Sequence, residues 1–255
     1  MSNSYYYFMN KKNILYSIYD NIKTLIGALI IAIIIRSLIF QPFYIPSSSM
    51  EPTLLIGDRI FVSKYIYGYS KHSFPFSPNF SNKRMNYKKP KQGDLVVFKT
   101  PADNRTDYIK RLIGLPGDEI QFIEGSLFIN GKKITREKIK RESTVRCGKY
   151  LLNVDTFIET LPNGSKHVAV YSKTGSMKNT KKFNIPENHF FLLGDNRDCS
   201  RDSRYLDSVG YVNYINLVGK AEIIFFSNDT VKGSLLKFWN LKNSYRGNRF
   251  FKRLK

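Results

Sequence analysis

Cysteine is almost absent from this 255-residue chain: two occur, Cys147 and Cys199, too few for a small disulfide scaffold. Outside the cytoplasm the two thiols could pair. Cys199, however, sits in a dense polar loop whose reach to Cys147 no spacing rule gives, and two free thiols are the favoured expectation. Histidine is scarce as well. His72, His167 and His189 stand in ordinary contexts and no G-x-S-x-G elbow occurs, which sets aside a Ser-His-Asp hydrolase. Acidic residues are the third shortage, 20 Asp plus Glu against 41 Lys plus Arg. The formal charge of +21 favours anionic partners, phospholipid head groups or nucleic acid, without choosing between them.

Charge is also missing from Thr24 to Ile35, and the apolar character resumes beyond Arg36 through Phe40. This run is at the short limit for crossing about 30 Å of hydrocarbon, so Arg36 must lie near one face and snorkel. With no polar stripe it has no face to offer solvent, which argues against a core helix. Lys11, Lys12 and Lys23 resemble the charged start of a secretory signal, but Gln41 to Pro46 lacks a small-x-small cleavage pattern, so the segment is expected to stay as an anchor. The expected division is a cytoplasmic segment over 1–22, a transmembrane helix over 23–40 and an extracytoplasmic domain over 41–255.

Beyond the anchor, short apolar runs bounded by Gly, Pro and Asp predict strands at 59–65, 95–98, 108–113, 119–123, 127–129, 167–171, 190–193 and 217–226. The fold class is therefore mostly β. Residues 69–90 predict a long loop, and the Lys- and Thr-rich stretch 132–188 predicts a β-rich insertion spanning about 124–189. From Lys232 onward, basic residues alternate with large apolar ones such as Trp239 and Phe250, which suits an anionic membrane surface.

Two segments carry chemistry. Ile45 to Leu54, IPSSSMEPTL, offers Ser49 as a nucleophile; Asp107 to Asp118, DYIKRLIGLPGD, offers Lys110 as a base. A serine attacks an amide only if something takes its proton, and a lysine does so once burial depresses its pKa toward neutrality. Strand alternation through Tyr108 to Ile113 sends Lys110 and Arg111 to opposite faces, leaving Lys110 free to be buried and neutral while Arg111 stays hydrated or paired. The loop Gly194 to Arg204, GDNRDCSRDSR, is dense in carboxylates and guanidinium groups. Arg197 and Arg201 interrupt the calcium-loop pattern and no glutamate closes it, so Asp–Arg pairs bracing a site are expected rather than a metal. Gly175-Ser176-Met177 echoes the serine motif but lacks the Pro and Thr that should follow, and is read as a decoy.

In their joint order these segments resemble the bacterial type I signal peptidases: the anchor, the Ser-Met-x-Pro-Thr-Leu run, Gly57-Asp58-Arg59-Ile60, Gly93 to Phe98, Tyr-Ile-Lys-Arg and Gly-Asp-Asn-Arg-Asp. The resemblance implies a curled β-sheet or β-barrel catalytic domain and a membrane serine endopeptidase acting on preprotein signal peptides. It makes Ser49 the nucleophile and Lys110 the general base, with Ser200 orienting the amine. Ser47 would join the Ser49 N–H at the oxyanion, and Arg111, Gly194, Asp195, Asp202 and Arg204 would support the site. Phe43, Ile45, Pro46, Met50, Leu54, Ile60, Val97, Tyr108 and Ile109 would line apolar pockets fitting an Ala-x-Ala preference, with the substrate bound as an added strand. Partners would be preproteins, membrane phospholipid and, transiently, the export translocon; nucleic acid, metal and organic cofactor are not expected. One departure is Ser48, where the family commonly has glycine. A self-cleaving Ser-Lys repressor would need a DNA-binding N-terminus in place of the anchor. A mitochondrial inner-membrane peptidase would need an Arg-rich transit segment, and a non-catalytic basic binding protein would leave Ser49, Lys110 and Ser200 as coincidence.

Overall fold

The computed structural model describes residues 2–79, 81, 83–173, 175, 178–229 and 244–254, with side chains from residue 16 onward except 140–142. Most of the basic and apolar C-terminal run (Lys232 to Leu241) and the Ser176-Met177 echo therefore lie outside the described residues.

The first element is a helix, α1 (Ser2–Leu38), longer than the expected anchor, whose stretch Tyr16–Leu38 is long and apolar enough to cross a membrane. Its Leu and Ile side chains face outward, as an all-round apolar helix requires when nothing in its own chain covers it. Among the described residues fifteen strands follow: β1 (Phe40–Tyr44), β2 (Asp58–Ser63), β3 (Leu95–Lys99), β4 (Asp107–Gly114), β5 (Glu119–Ile123), β6 (Ser126–Ile129), β7 (Lys132–Lys133), β8 (Thr135–Cys147), β9 (Tyr150–Thr160), β10 (Lys166–Ser172), β11 (Phe183–Asn184), β12 (His189–Leu193), β13 (Val212–Asn213), β14 (Leu217–Ser227) and β15 (Lys252–Arg253). The protein is mostly β, as expected. The described residues between 69 and 90 form a largely irregular segment with one 3-10 turn, Lys71–Ser73, and a bridge between Tyr69 and Met85.

The main sheet runs β1-β2-β14-β3-β4-β12-β13, with β15 against β14, and its pairings are antiparallel. The central strands are apolar almost throughout because both faces are covered. Along β3, Leu95 and Val97 enter one core cluster with Met50, Leu54 and Ile60, while Val96 and Phe98 enter another with Leu112 and Leu192. Register shifts along β14 curl the sheet, so that one strand reaches β2, β3 and β15 in turn. Pro42 is tolerated in β1 because that strand is an edge, paired only to β2.

Two smaller sheets lie between β4 and β12 in the chain. One is β11-β5-β6-β7; the other is the long ribbon β10-β9-β8, whose tip brings Arg146 and Cys147 back to the main sheet.

Candidate active site

Ser49 stands on an excursion between β1 and β2. Its base is closed by Ile45 N–H donating to Asp58 O and Gly57 N–H donating to Ile45 O, and its tip turns through Glu51 N–H to Ser48 O. Gly57 has φ +97°, and a Cβ there would meet Asn228 O at 1.9 Å, so the neck of this loop admits no side chain. Lys110 comes from the middle of β4, opposite Val96 of β3. Its Nζ lies 2.6 Å from Ser49 Oγ and 5.5 Å from the ring centre of Tyr108, which shares its face as strand alternation predicts.

Lys110 is 4% exposed. Burial lowers its amine to about 8; Asp202 and then Asp195 push the other way. At pH 7 about a tenth of this lysine is therefore an uncharged amine, able to accept a proton from the Ser49 hydroxyl, and the share rises steeply as pH approaches 8.

Arg111, the neighbour on β4, is paired rather than hydrated. Its Nε and Nη2 donate to the two oxygens of Asp195, each at 2.8 Å, and its Nη1 donates to Gly93 O. Thr53 Oγ1 adds a third donor to Asp195 at 2.5 Å. Burial alone would raise the Asp195 carboxyl, but the Arg111 charge outweighs it and holds it low. Asp202 accepts from Arg204 Nε and Nη2 and from Gly194 N–H, and for the same reason is held ionised.

Gly194 marks where the loop meets the Ser49 turn: a Cβ there would stand 2.2 Å from Ser200 Oγ and 2.5 Å from Ser49 O. The approach of the two segments at this point demands the glycine. Ser47 Oγ is 3.4 Å from Ser49 Oγ. Ser200 is buried beside this junction, but its hydroxyl makes no hydrogen bond of normal geometry to the lysine amine.

An apolar cleft of about 570 Å³ opens beside Ser49. Phe43, Ile45, Pro46, Ile60, Val97, Tyr108 and Ile109 line it; Met50 and Leu54 do not, being fully buried in the core behind it.

Several residues that hold the site together had no distinct sequence signal. Asn196 donates its backbone N–H to Ser49 O, and its Nδ2 to Ser48 O and Arg146 O, so one residue clamps the Ser49 turn to the ribbon tip. Arg197 donates to both oxygens of Glu159 on β9, to Tyr171 Oη on β10 and to Gly194 O, tying the ribbon to the loop. Glu159 lies 38 residues away in sequence, and only the fold brings the two together.

Cys147 and Cys199 are joined, against the expectation of free thiols, because the β8–β9 ribbon folds back far enough to bring their Cα atoms to 5.5 Å. The bond closes a 52-residue separation directly beside Ser200, and Ser48 Oγ lies 3.9 Å from Cys199 Sγ. Reduction, or Cys147→Ser, is expected to lower stability by about 2–4 kcal/mol. The midpoint of thermal unfolding with and without a thiol reductant measures this, and identical midpoints would show that the crosslink contributes nothing.

The profile of the family described as "Signal peptidase, peptidase S26" matches residues 18–226. The chain is 42% identical over 242 residues to a signal peptidase I of Rickettsia akari (strain Hartford), covering 88% of each chain. It is 41% identical over 241 residues to that of Rickettsia prowazekii (strain Madrid E), covering 88% of this chain and 89% of the relative. A crystal structure of a signal peptidase I from Enterococcus faecalis V583 aligns with 52% of this chain and 97% of its own at 25% identity, with a TM-score of 0.31, too loose an overlap to argue from. On the profile match and the extent of the rickettsial identity, this chain belongs to the signal peptidase family, peptidase S26.

Proposed function

We propose that this peptidase is a membrane-anchored serine endopeptidase that cuts N-terminal signal peptides from exported preproteins after small-x-small sequences of the Ala-x-Ala kind. The observation that carries the reading is the 2.6 Å approach of Ser49 Oγ to a buried Lys110 amine whose pKa burial has lowered to about 8.

In this reading the neutral amine takes the Ser49 proton as Oγ attacks the scissile carbonyl. The resulting oxyanion meets the Ser49 N–H and the Ser47 hydroxyl, donors of a kind typically worth about 3 kcal/mol each. Collapse breaks the C–N bond and the new amine leaves with the proton from Lys110 Nζ. A water, deprotonated by the same lysine, then hydrolyses the Ser49 ester. Asp202 and Asp195 help hold the ammonium that forms after each proton transfer, while Arg204 and Arg111 keep those carboxylates ionised. Ser200 packs against Gly194, and its hydroxyl lies close enough to Asp202 to help keep that carboxylate ionised.

In this reading the chain crosses once through Tyr16–Leu38 with its Lys-bearing N-terminus in the cytoplasm, and the cleft and inserted ribbon lie on the outer face of the bacterial inner membrane, where exported chains and the translocon deliver substrate; the apolar length of α1 supports it. The apolar lining of the cleft beside Ser49 supports the reading that uncharged residues occupy positions −1 and −3.

The test is cleavage of a model preprotein with Ala at −1 and −3, with the new N-terminus read by mass spectrometry. Cutting immediately after −1 is expected, with kcat/KM falling on the order of 100-fold when Leu replaces Ala at −1. Indifference to the residue at −1 would remove the specificity claim, and failure of the wild type to cut any such site would remove the enzyme reading itself.

A further inference from the structure

A second cavity, of about 320 Å³, opens where α1 meets the sheet. Arg36, Lys64, His72, Phe76, Lys99 and Arg105 line it, drawn from the last turn of α1, the end of β2, the 71–77 segment and the β3–β4 region. Four cationic side chains face one lining carboxylate, Asp107, which Lys99 engages at 2.9 Å. Lys64 is 2% exposed and donates to Ser73 O at 2.5 Å. Its amine is lowered to about 8 by burial and then by the Arg36 charge, a cost that an entering anion would relieve. His72 is buried as well. Its Nδ1 meets Ser77 Oγ at 3.0 Å, while its Nε2 has no hydrogen-bond partner.

Position selects the anion. Arg36 stands two residues before the end of the segment that would cross the bilayer, so the cavity opens at head-group depth. Phe76, on the same wall, is fully exposed at φ +62°, and Phe40 and Tyr65 are exposed nearby on the chain that leaves α1 and β2. Exposed aromatic rings beside a cationic pocket at the end of a membrane helix suit an interface with lipid.

We propose that this cavity binds the phosphate of an anionic membrane phospholipid, with Arg36, Lys64, Lys99 and Arg105 around the head group and Phe76 entering the upper acyl region. The proposal rests on the membrane-anchored reading above. Phe43 and Asp107 line both this cavity and the cleft, so a seated head group sets the height of the cleft above the bilayer.

The full chain, purified in detergent, is titrated with phosphatidylglycerol or phosphatidylcholine and bound lipid is counted by native mass spectrometry. One tightly held phosphatidylglycerol is expected, with phosphatidylcholine much weaker. The double variant Arg36→Gln/Arg105→Gln changes two exposed side chains outside the cleft and should bind phosphatidylglycerol about thirtyfold less tightly, while still cutting a soluble peptide. Ser49→Ala should bind lipid like the wild type. Equal binding of the two lipids, or no loss in the double variant, overturns the proposal; displacement of phosphatidylglycerol by millimolar glycerol phosphate would assign the site to a soluble phosphate instead. If the wild type binds phosphatidylglycerol selectively but cuts nothing, the enzyme reading fails and the lipid site stands.

Discussion

Replacing Lys110 by methionine is expected to abolish turnover and, at the same time, to make the protein more stable. The two effects have one origin, the burial of an amine in a site where its only hydrogen-bond partner among the described residues is Ser49 Oγ. Activity should fall roughly 10⁴-fold or more, matched by Ser49→Ala, and the double variant should be no worse than either single one because the two act as a unit. In the wild type the acid limb of kcat/KM should bend at about pH 8, so that activity at pH 6 is about a hundredfold below the plateau. The sign of the stability effect follows from the same lowered pKa. Between about 8 and the ordinary 10.5 the unfolded chain holds a proton that the folded chain has lost, so wild-type stability rises with pH across that window. Below it, the cost of burying the ammonium is fully present, on the order of 3 kcal/mol. Lys110→Met removes that cost. Its advantage should be largest at pH 7 and fade as pH rises from 8 to 10.5. Residual activity in the variant would mean another base serves Ser49, and equal unfolding midpoints at pH 7 would mean the amine is not destabilised by burial.

Much of the main sheet was legible because its central strands combine short apolar runs with turn residues at both ends. The runs at 95–98, 108–113 and 190–193 needed only a residue or so at their ends. β1 was not legible as a strand: Pro42 argues against one unless the strand is known to be an edge, and edges are a property of the finished sheet. The ribbon β8–β9 was visible only as β-rich character. Its Lys, Arg, Glu and Thr residues do not alternate cleanly, and its 13- and 11-residue strands are held in register chiefly by each other. Within the site, Ser49 and Lys110 could be paired by residue type and local context, and the fold brings them to 2.6 Å. The Asn196 clamp, the Arg197–Glu159 pair and the Cys147–Cys199 bond did not, since each depends on how far a distant ribbon folds back over the 194–204 loop.

The Arg111–Asp195 pair should prove the most expensive single contact to break. Both side chains are almost wholly buried, and two parallel 2.8 Å hydrogen bonds leave neither charge a route to water. Asp195→Asn strands the Arg111 guanidinium without its counter-charge, at an expected cost of about 3–5 kcal/mol, roughly a 10 °C fall in the midpoint of unfolding for a chain of this size. Arg111→Met/Asp195→Leu, which removes both charges, should recover most of that loss, because the penalty comes from the orphaned ion and not from absence of the pair. A purely structural role would end there. Asp195 also supports the Lys110 ammonium, so its neutral variant should shift the acid limb of the pH–rate profile below 8, and Asp202→Asn should shift it in the same direction. A loss of stability with an unmoved acid limb would confine Asp195 to bracing the loop. A limb that moves down while the fold loosens would show one carboxylate setting both the position of the nucleophile turn, through its neighbour Asn196, and the proton affinity of the base.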